Sequence, residues 1–217
     1  MEVDPKNLRL RAAELGSRLK GTNIYFVGMM GTGKSAVGRN LADVIGRYGF
    51  IDTDEVIEQL LGCPVHQVFA EDGEEAFRSV EAQVLDQVHS FVKLVIATGG
   101  GVVMRQQNWS KLHTGLVVWL DVPVDDVVAR LSKDPEQVRR RPLLSGADPR
   151  AALEALLEQR RHMYEAADVR VVISAREDVQ DVVLKVVEHL HDYVDSNPPR
   201  HQAWKEEAKT AGADWLQ

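Results

Sequence analysis

Apolar residues are distributed along the chain in two alternating patterns. Short β-type runs occur at Asn23-Ile24-Tyr25-Phe26-Val27, Tyr48-Gly49-Phe50-Ile51-Asp52, Leu94-Val95-Ile96-Ala97, Leu116-Val117-Val118-Trp119-Leu120-Asp121 and Val169 to Ile173, the last interrupted by Arg170. Runs this short and continuous are the pattern of strands buried on both faces. Between them the apolar positions recur at helical spacing, which predicts helices over 36–45, 54–61, 64–71, 74–90, a stretch after Pro123, and 178–194. Strand and helix in alternation define an α/β protein, a five-stranded parallel sheet with helices on both faces. Residues 6–19, with Leu8, Leu10, Ala13, Leu15 and Leu19 set among charges, read as an amphipathic helix appended ahead of the first strand. The chain thus divides into an extension at 1–20, a domain at 21–195 and a polar tail at 196–217 in which Trp204 and Trp215 stand isolated.

The alternation breaks at 132–149, where Asp134-Pro135 and Arg139-Arg140-Arg141-Pro142-Leu143-Leu144-Ser145-Gly146 mix charge, proline and glycine. A long connection of this kind is either a mobile lid over an active site or a solvated linker.

Composition narrows the function. At 217 residues, 44% of them hydrophobic, the chain can bury one full-sized core. A formal charge of −7 and a pI near 5.5 argue against nucleic acid as a partner, so any bound anion must be held by local arginines. Cys63 is the single cysteine, which excludes an intrachain disulfide or thiolate metal cluster. No apolar run approaches the roughly 18 residues of a membrane span, and the first 20 residues have no signal-like apolar core. A soluble protein with no membrane partner is expected.

The chemistry begins at Gly28-Met29-Met30-Gly31-Thr32-Gly33-Lys34-Ser35, which fits the phosphate loop G-x-x-x-x-G-K-[ST] at every fixed position and follows an apolar strand. Glycines let successive backbone N–H groups converge on a polyphosphate, Lys34 supplies a point charge toward the β and γ phosphates, and the Ser35 hydroxyl can ligate Mg²⁺. The alternative is a glycine-rich turn without a ligand. Ligands of such sheets gather beyond the carboxyl ends of the strands, so the residues following each strand are collected into one site. The second strand delivers Asp52-Thr53-Asp54 and the third delivers Gly99-Gly100-Gly101. Asp52 suits the metal or its waters and Asp54 an accepting hydroxyl, although Asp54 also suits a helix N-cap. Arg78 and Glu81, three apart on a helix, can pair, either within the site or as a surface ion pair. Of Arg139, Arg140 and Arg141 in the lid candidate, and of Arg160 and Arg161 on the helix expected after it, at most one in each cluster is expected to act. His189 and His191 are read as solvent-facing, Cys63 as packed, and Met29 and Met30 as packed around the phosphate loop.

Taken in order, these pieces resemble the shikimate kinase family of P-loop kinases. They comprise the phosphate loop, Phe50-Ile51-Asp52-Thr53-Asp54, Gly73-Glu74-Glu75-Ala76-Phe77-Arg78 with Glu81, Thr98-Gly99-Gly100-Gly101, Trp119-Leu120-Asp121, Arg141-Pro142-Leu143-Leu144, and Arg160 before Tyr164. The resemblance spans about 21 to 190 and extends to the cyanobacterial and plastid versions. It implies a P-loop kinase fold and transfer of the ATP γ-phosphate to the 3-hydroxyl of shikimate in aromatic amino-acid biosynthesis, with Mg²⁺ as cofactor. It also implies a monomer, located in the cytoplasm or, in a eukaryote, in the plastid stroma. By the same resemblance Asp54, Arg78, Gly99, Gly100, Gly101 and Arg160 hold shikimate, and Glu81 orients Arg78. The phosphate loop from Gly28 to Ser35 binds ATP, Lys34, Ser35 and Asp52 complete the Mg·ATP site, Arg130 stacks on adenine, and Arg141 closes with the lid onto the transferring group. The segment Ser174-Ala175-Arg176-Glu177-Asp178 departs from the family's aspartate and proline on the adenine side. Two other readings stand beside this one: a kinase of another carboxylated polyol such as gluconate, and a non-catalytic paralogue. The second predicts loss of Lys34, Asp54 or Arg160, all of which the chain retains.

Overall fold

The computed structural model describes residues 5–133 and 148–197. Most of the candidate lid, with Arg139, Arg140 and Arg141, and the tail with Trp204 and Trp215 lie outside the described residues. Five strands, β1 (Ile24–Val27), β2 (Gly49–Asp52), β3 (Leu94–Ala97), β4 (Leu116–Asp121) and β5 (Val169–Val172), form one parallel sheet in the order β2-β3-β1-β4-β5. The central strand β1 is buried at every residue, with Phe26 paired to Ala97 on one side and Val118 on the other. That double burial is why its sequence shows no alternation.

The helices are α1 (Pro5–Leu19), α2 (Lys34–Ile45), α3 (Thr53–Leu61), α4 (Val65–Glu71), α5 (Gly73–Val88), α6 (Gln106–Leu112), α7 (Val124–Ser132), α8 (Pro149–Tyr164) and α9 (Val179–Ser196). Those predicted from apolar spacing are present, with ends displaced by one or two residues. Helix α6 and the 3₁₀ turn Val102–Met104 are additions to the sequence reading. Both are short and brace each other: Asn108 Nδ2 donates to Val102 O at 2.8 Å and Trp109 Nε1 donates to Val103 O at 3.1 Å. Among the described residues no helix is long and apolar enough to cross a membrane.

Helix α1 is no appendage. Leu8, Ala12, Leu15 and Leu19 form its buried stripe against α2 and α9, while Leu10 is 73% exposed. The stripe follows the i, i+4, i+7, i+11 positions, a face that a count of leucines alone does not pick out. This packing also corrects the reading of His191, which is buried against α1. A carbonyl can only accept and a guanidinium can only donate, so the contacts fix the ring's tautomer. Nε2 donates to Arg11 O at 3.0 Å, and Nδ1 accepts from Arg18 Nη1 at 2.9 Å. Arg18 in turn pairs with Asp195. His189 is exposed, as expected.

Candidate active site

The turn after β1 delivers the phosphate loop directly into α2. Gly33, at φ 92°, occupies the left-handed region at the helix N-cap, where a side chain would be strained. Within the loop Thr32 Oγ1 donates to Met29 O at 2.8 Å, and Lys34 Nζ donates to Gly28 O at 2.9 Å and Met29 O at 2.8 Å. Met29 is buried and Met30 partly so, both packed around the loop. The lysine therefore braces the loop from its inner side and lines the cavity above it. One residue into α2, Ser35 Oγ donates to Asp52 Oδ2 at 2.5 Å, tying the start of that helix to the end of β2.

Asp52 rather than Asp54 caps α3: its Oδ1 accepts from Asp54 N at 2.9 Å. That frees the Asp54 side chain, whose Oδ1 is buried with no hydrogen-bond partner among the described residues. Burial, reinforced by the negative charges of Asp52 and Glu81, pushes the Asp54 carboxyl up to about 7, against the opposing pull of Lys34 and Arg78. A carboxyl set between its two protonation states near neutrality is suited to taking a proton.

Helix α5 supplies Arg78. Its Nη1 donates to Glu81 Oε2 at 2.8 Å and its Nη2 to Glu74 Oε1 at 3.0 Å. Arg78 and Glu81 are both buried, so the surface-pair alternative does not hold. The guanidinium also lies over the Phe77 and Phe69 rings, 5.1 and 5.8 Å from their centroids. The turn after β3 passes so close that a Cβ on Gly101 would overlap the Arg78 guanidinium, which explains a residue without a side chain there. Arg160, on α8, is 2% exposed; its Nη1 is 3.4 Å from Gly100 O, and its Nε has no partner among the described residues. An unpartnered buried N–H donor calls for a ligand acceptor. Burial thus separates Arg160 from its half-buried neighbour Arg161, the same choice that the family resemblance implies.

These residues share one cavity of about 620 Å³, lined by Lys34, Asp52, Asp54, Arg78, Arg130 and Arg160 together with the glycine turn. Arg130, in the last turn of α7, reaches the loop through Nη1, 3.3 Å from Thr32 O. No group of three or more acid, histidine or cysteine side chains among the described residues could hold a metal ion. A cation held by phosphate oxygens, waters and one or two protein oxygens matches this donor set, since Mg²⁺ accepts such partial coordination. Sequence reasoning missed Glu74, though its place four residues before Arg78 is a helix-pairing signal. It also missed Thr53, whose Oγ1 accepts from Gly99 N at 3.2 Å.

Known proteins resemble this chain in sequence and fold. The shikimate kinase family model matches residues 30–191. A shikimate kinase of Nostoc sp. strain PCC 7120 is 49% identical over 176 residues, 81% of this chain and 94% of that protein. One from Trichormus variabilis is 48% identical over 174 residues, covering 80% and 93%. Among solved structures, shikimate kinase from Acinetobacter baumannii in complex with shikimate superposes with a TM-score of 0.72 at 34% identity, covering 85% of this chain and 98% of that one. A P-loop α/β domain with this site and these relatives belongs to the shikimate kinase family.

Proposed function

We propose that the chain transfers the γ-phosphoryl group of ATP to the 3-hydroxyl of shikimate. The observation that carries this reading is the meeting of two buried arginines, Arg78 and Arg160, with the unpartnered Asp54 carboxyl in the cavity that also contains the phosphate loop. Two guanidinium groups suit the carboxylate of a small acid in forked, charge-assisted geometry. A carboxylate beside them suits a hydroxyl of the same molecule.

In the transfer the acceptor oxygen forms a bond to Pγ, the bond from Pγ to the β,γ-bridging oxygen breaks, and ADP departs with that electron pair. Asp54 takes the proton of the attacking hydroxyl. Lys34 and the backbone of the phosphate loop neutralise charge on the β and γ phosphates, and Arg130 lies on the nucleotide side of the loop. Ser35 and Asp52 would hold Mg²⁺, which would neutralise charge on the polyphosphate. Glu81 and Glu74 fix the direction of Arg78.

The test is ADP release from Mg·ATP with shikimate, with gluconate and with neither. Stimulation by shikimate alone supports the reading. Stimulation by gluconate points to the other carboxylated polyol, and ATP binding without stimulation points to a non-catalytic paralogue.

A further inference from the structure

Tyr164 follows Arg160 by one turn of α8 and is fully buried, its ring stacked on Trp119 of β4 with centroids 5.8 Å apart. Its hydroxyl oxygen lies 2.5 Å from Gly100 O and 3.6 Å from Met29 Sδ. A phenol has one proton and a carbonyl can only accept, so that proton belongs to the Gly100 bond. Arg160 Nη1 approaches the same carbonyl, which engages both of its lone pairs from one helix. Gly100 abuts the phosphate loop on another side: a Cβ there would lie 3.2 Å from Met30 N and 3.5 Å from Gly28 O. The tyrosine hydroxyl therefore stands where the glycine turn, the phosphate loop and α8 converge.

We propose that Tyr164 is a positioning residue for the acceptor: its hydroxyl holds the Gly100 carbonyl against α8 and so sets both the Gly99–Gly101 turn and the aim of Arg160. Burial raises the phenol to about 12, so it keeps the proton it donates at neutral pH. The turn has other anchors, Gly99 N on Thr53 Oγ1 and Thr98 Oγ1 on Phe26 O at 2.8 Å. Loss of the hydroxyl should therefore loosen the middle of the turn without detaching it. A purely space-filling role predicts instead that phenylalanine serves equally well.

The inference rests on shikimate as the acceptor. In Tyr164→Phe the shikimate KM should rise about tenfold, the loss expected for one buried hydrogen bond, with the ATP KM and kcat changed no more than about twofold. Trp119→Phe keeps the hydroxyl but disturbs the ring stack. It should lower Tm with little change in the shikimate KM. A Tyr164→Phe protein with a wild-type shikimate KM overturns the proposal. So does one that fails to fold, one in which both KM values rise together, or an equal effect of Trp119→Phe. Wild-type protein that neither binds shikimate nor releases ADP in response to it overturns the acceptor assignment and this inference with it. An active wild type with an unaltered Tyr164→Phe overturns this inference alone.

Discussion

Arg78 and Glu81, one turn apart on α5, form an ion pair of 2.8 Å between Nη1 and Oε2 while retaining only 7% and 1% of their side-chain exposure. Burial pushes the Glu81 carboxyl above its ordinary range, and the positive charges of Arg78, Arg160 and Arg105 oppose that rise. Its second oxygen, Oε1, has no partner among the described residues and faces Gly99, as does the unpartnered Asp54 Oδ1. The pair thus carries more polarity than its own hydrogen bonds satisfy, which suits a site awaiting a polyhydroxylated ligand.

Removing Glu81 should be costly in two separable ways. Glu81→Ala leaves a buried cation with one carboxylate partner, Glu74, itself 42% exposed. Loss of one member of a buried pair costs about 3 kcal/mol, which should appear as a lower urea midpoint at unchanged m-value. Shikimate affinity, measured by calorimetry on the fraction that remains folded, should fall at least about tenfold because Arg78 is no longer held in one direction. Unchanged affinity would leave Glu81 a stability role only.

Asp54 should make stability depend on pH. Its carboxyl titrates near 7 in the folded protein, above its ordinary 3.8, so the folded state binds this proton more tightly than the unfolded chain does. The stability linked to that proton is complete below about pH 4 and is lost as pH rises through 7. Asp54→Asn cannot ionise and escapes the loss. In ligand-free protein with EDTA, its Tm should differ least from the wild type at about pH 4 and exceed it increasingly toward pH 8. The same variant should keep ATP binding while kcat falls by about 10² to 10⁴, the range for loss of a general base. A Tm difference independent of pH would mean that Asp54 is not strained by its charge.

The sheet was legible because each strand is a short, largely apolar run bounded by turn residues. The inner strands β1, β3 and β4 are buried on both faces and show no alternation, whereas the edge strand β5 alternates, with Arg170 and Val172 exposed, and was not the doubly buried run expected of it. The strand-end rule places Lys34, Asp52, Asp54 and the Gly99–Gly101 turn together at one edge of the sheet from the sequence alone. What sequence left open depended on burial. Arg160 and Arg161 are equal as letters; the family resemblance picks out Arg160, and packing of α8 against the glycine turn supplies the physical reason. His191 looked like its exposed neighbour His189 because the helix that covers it, α1, lies more than 170 residues earlier. The cap of α3 fell to Asp52 rather than Asp54 because the helix starts at Thr53, directly after the still-extended Asp52, a boundary invisible in a string with both acids present.

Lys34 offers a test of the nucleotide end. Its ammonium donates to the carbonyls of Gly28 and Met29, so it supports the loop as well as facing the cavity. Lys34→Ala should lower kcat by about 10² to 10³, the scale for losing one preorganised positive group at developing charge. The shikimate KM should change much less. Nearly normal turnover would contradict a phosphate role for this lysine.

Arg160 tests the acceptor end through geometry rather than charge alone. The guanidinium uses Nη1 on Gly100 O and leaves Nε without a partner, so one edge of the fork is engaged by protein while another donor remains for ligand. A lysine keeps the charge but presents no planar fork and cannot serve both acceptors in the same orientation. Arg160→Lys should therefore behave more like Arg160→Ala than like wild type, with the shikimate KM raised about tenfold or more in both and the ATP KM within about threefold. Steady-state titration of each substrate at saturation of the other separates the two effects. If lysine restores the shikimate KM, the site reads charge rather than the forked donor; if the ATP KM rises instead, Arg160 belongs to the nucleotide.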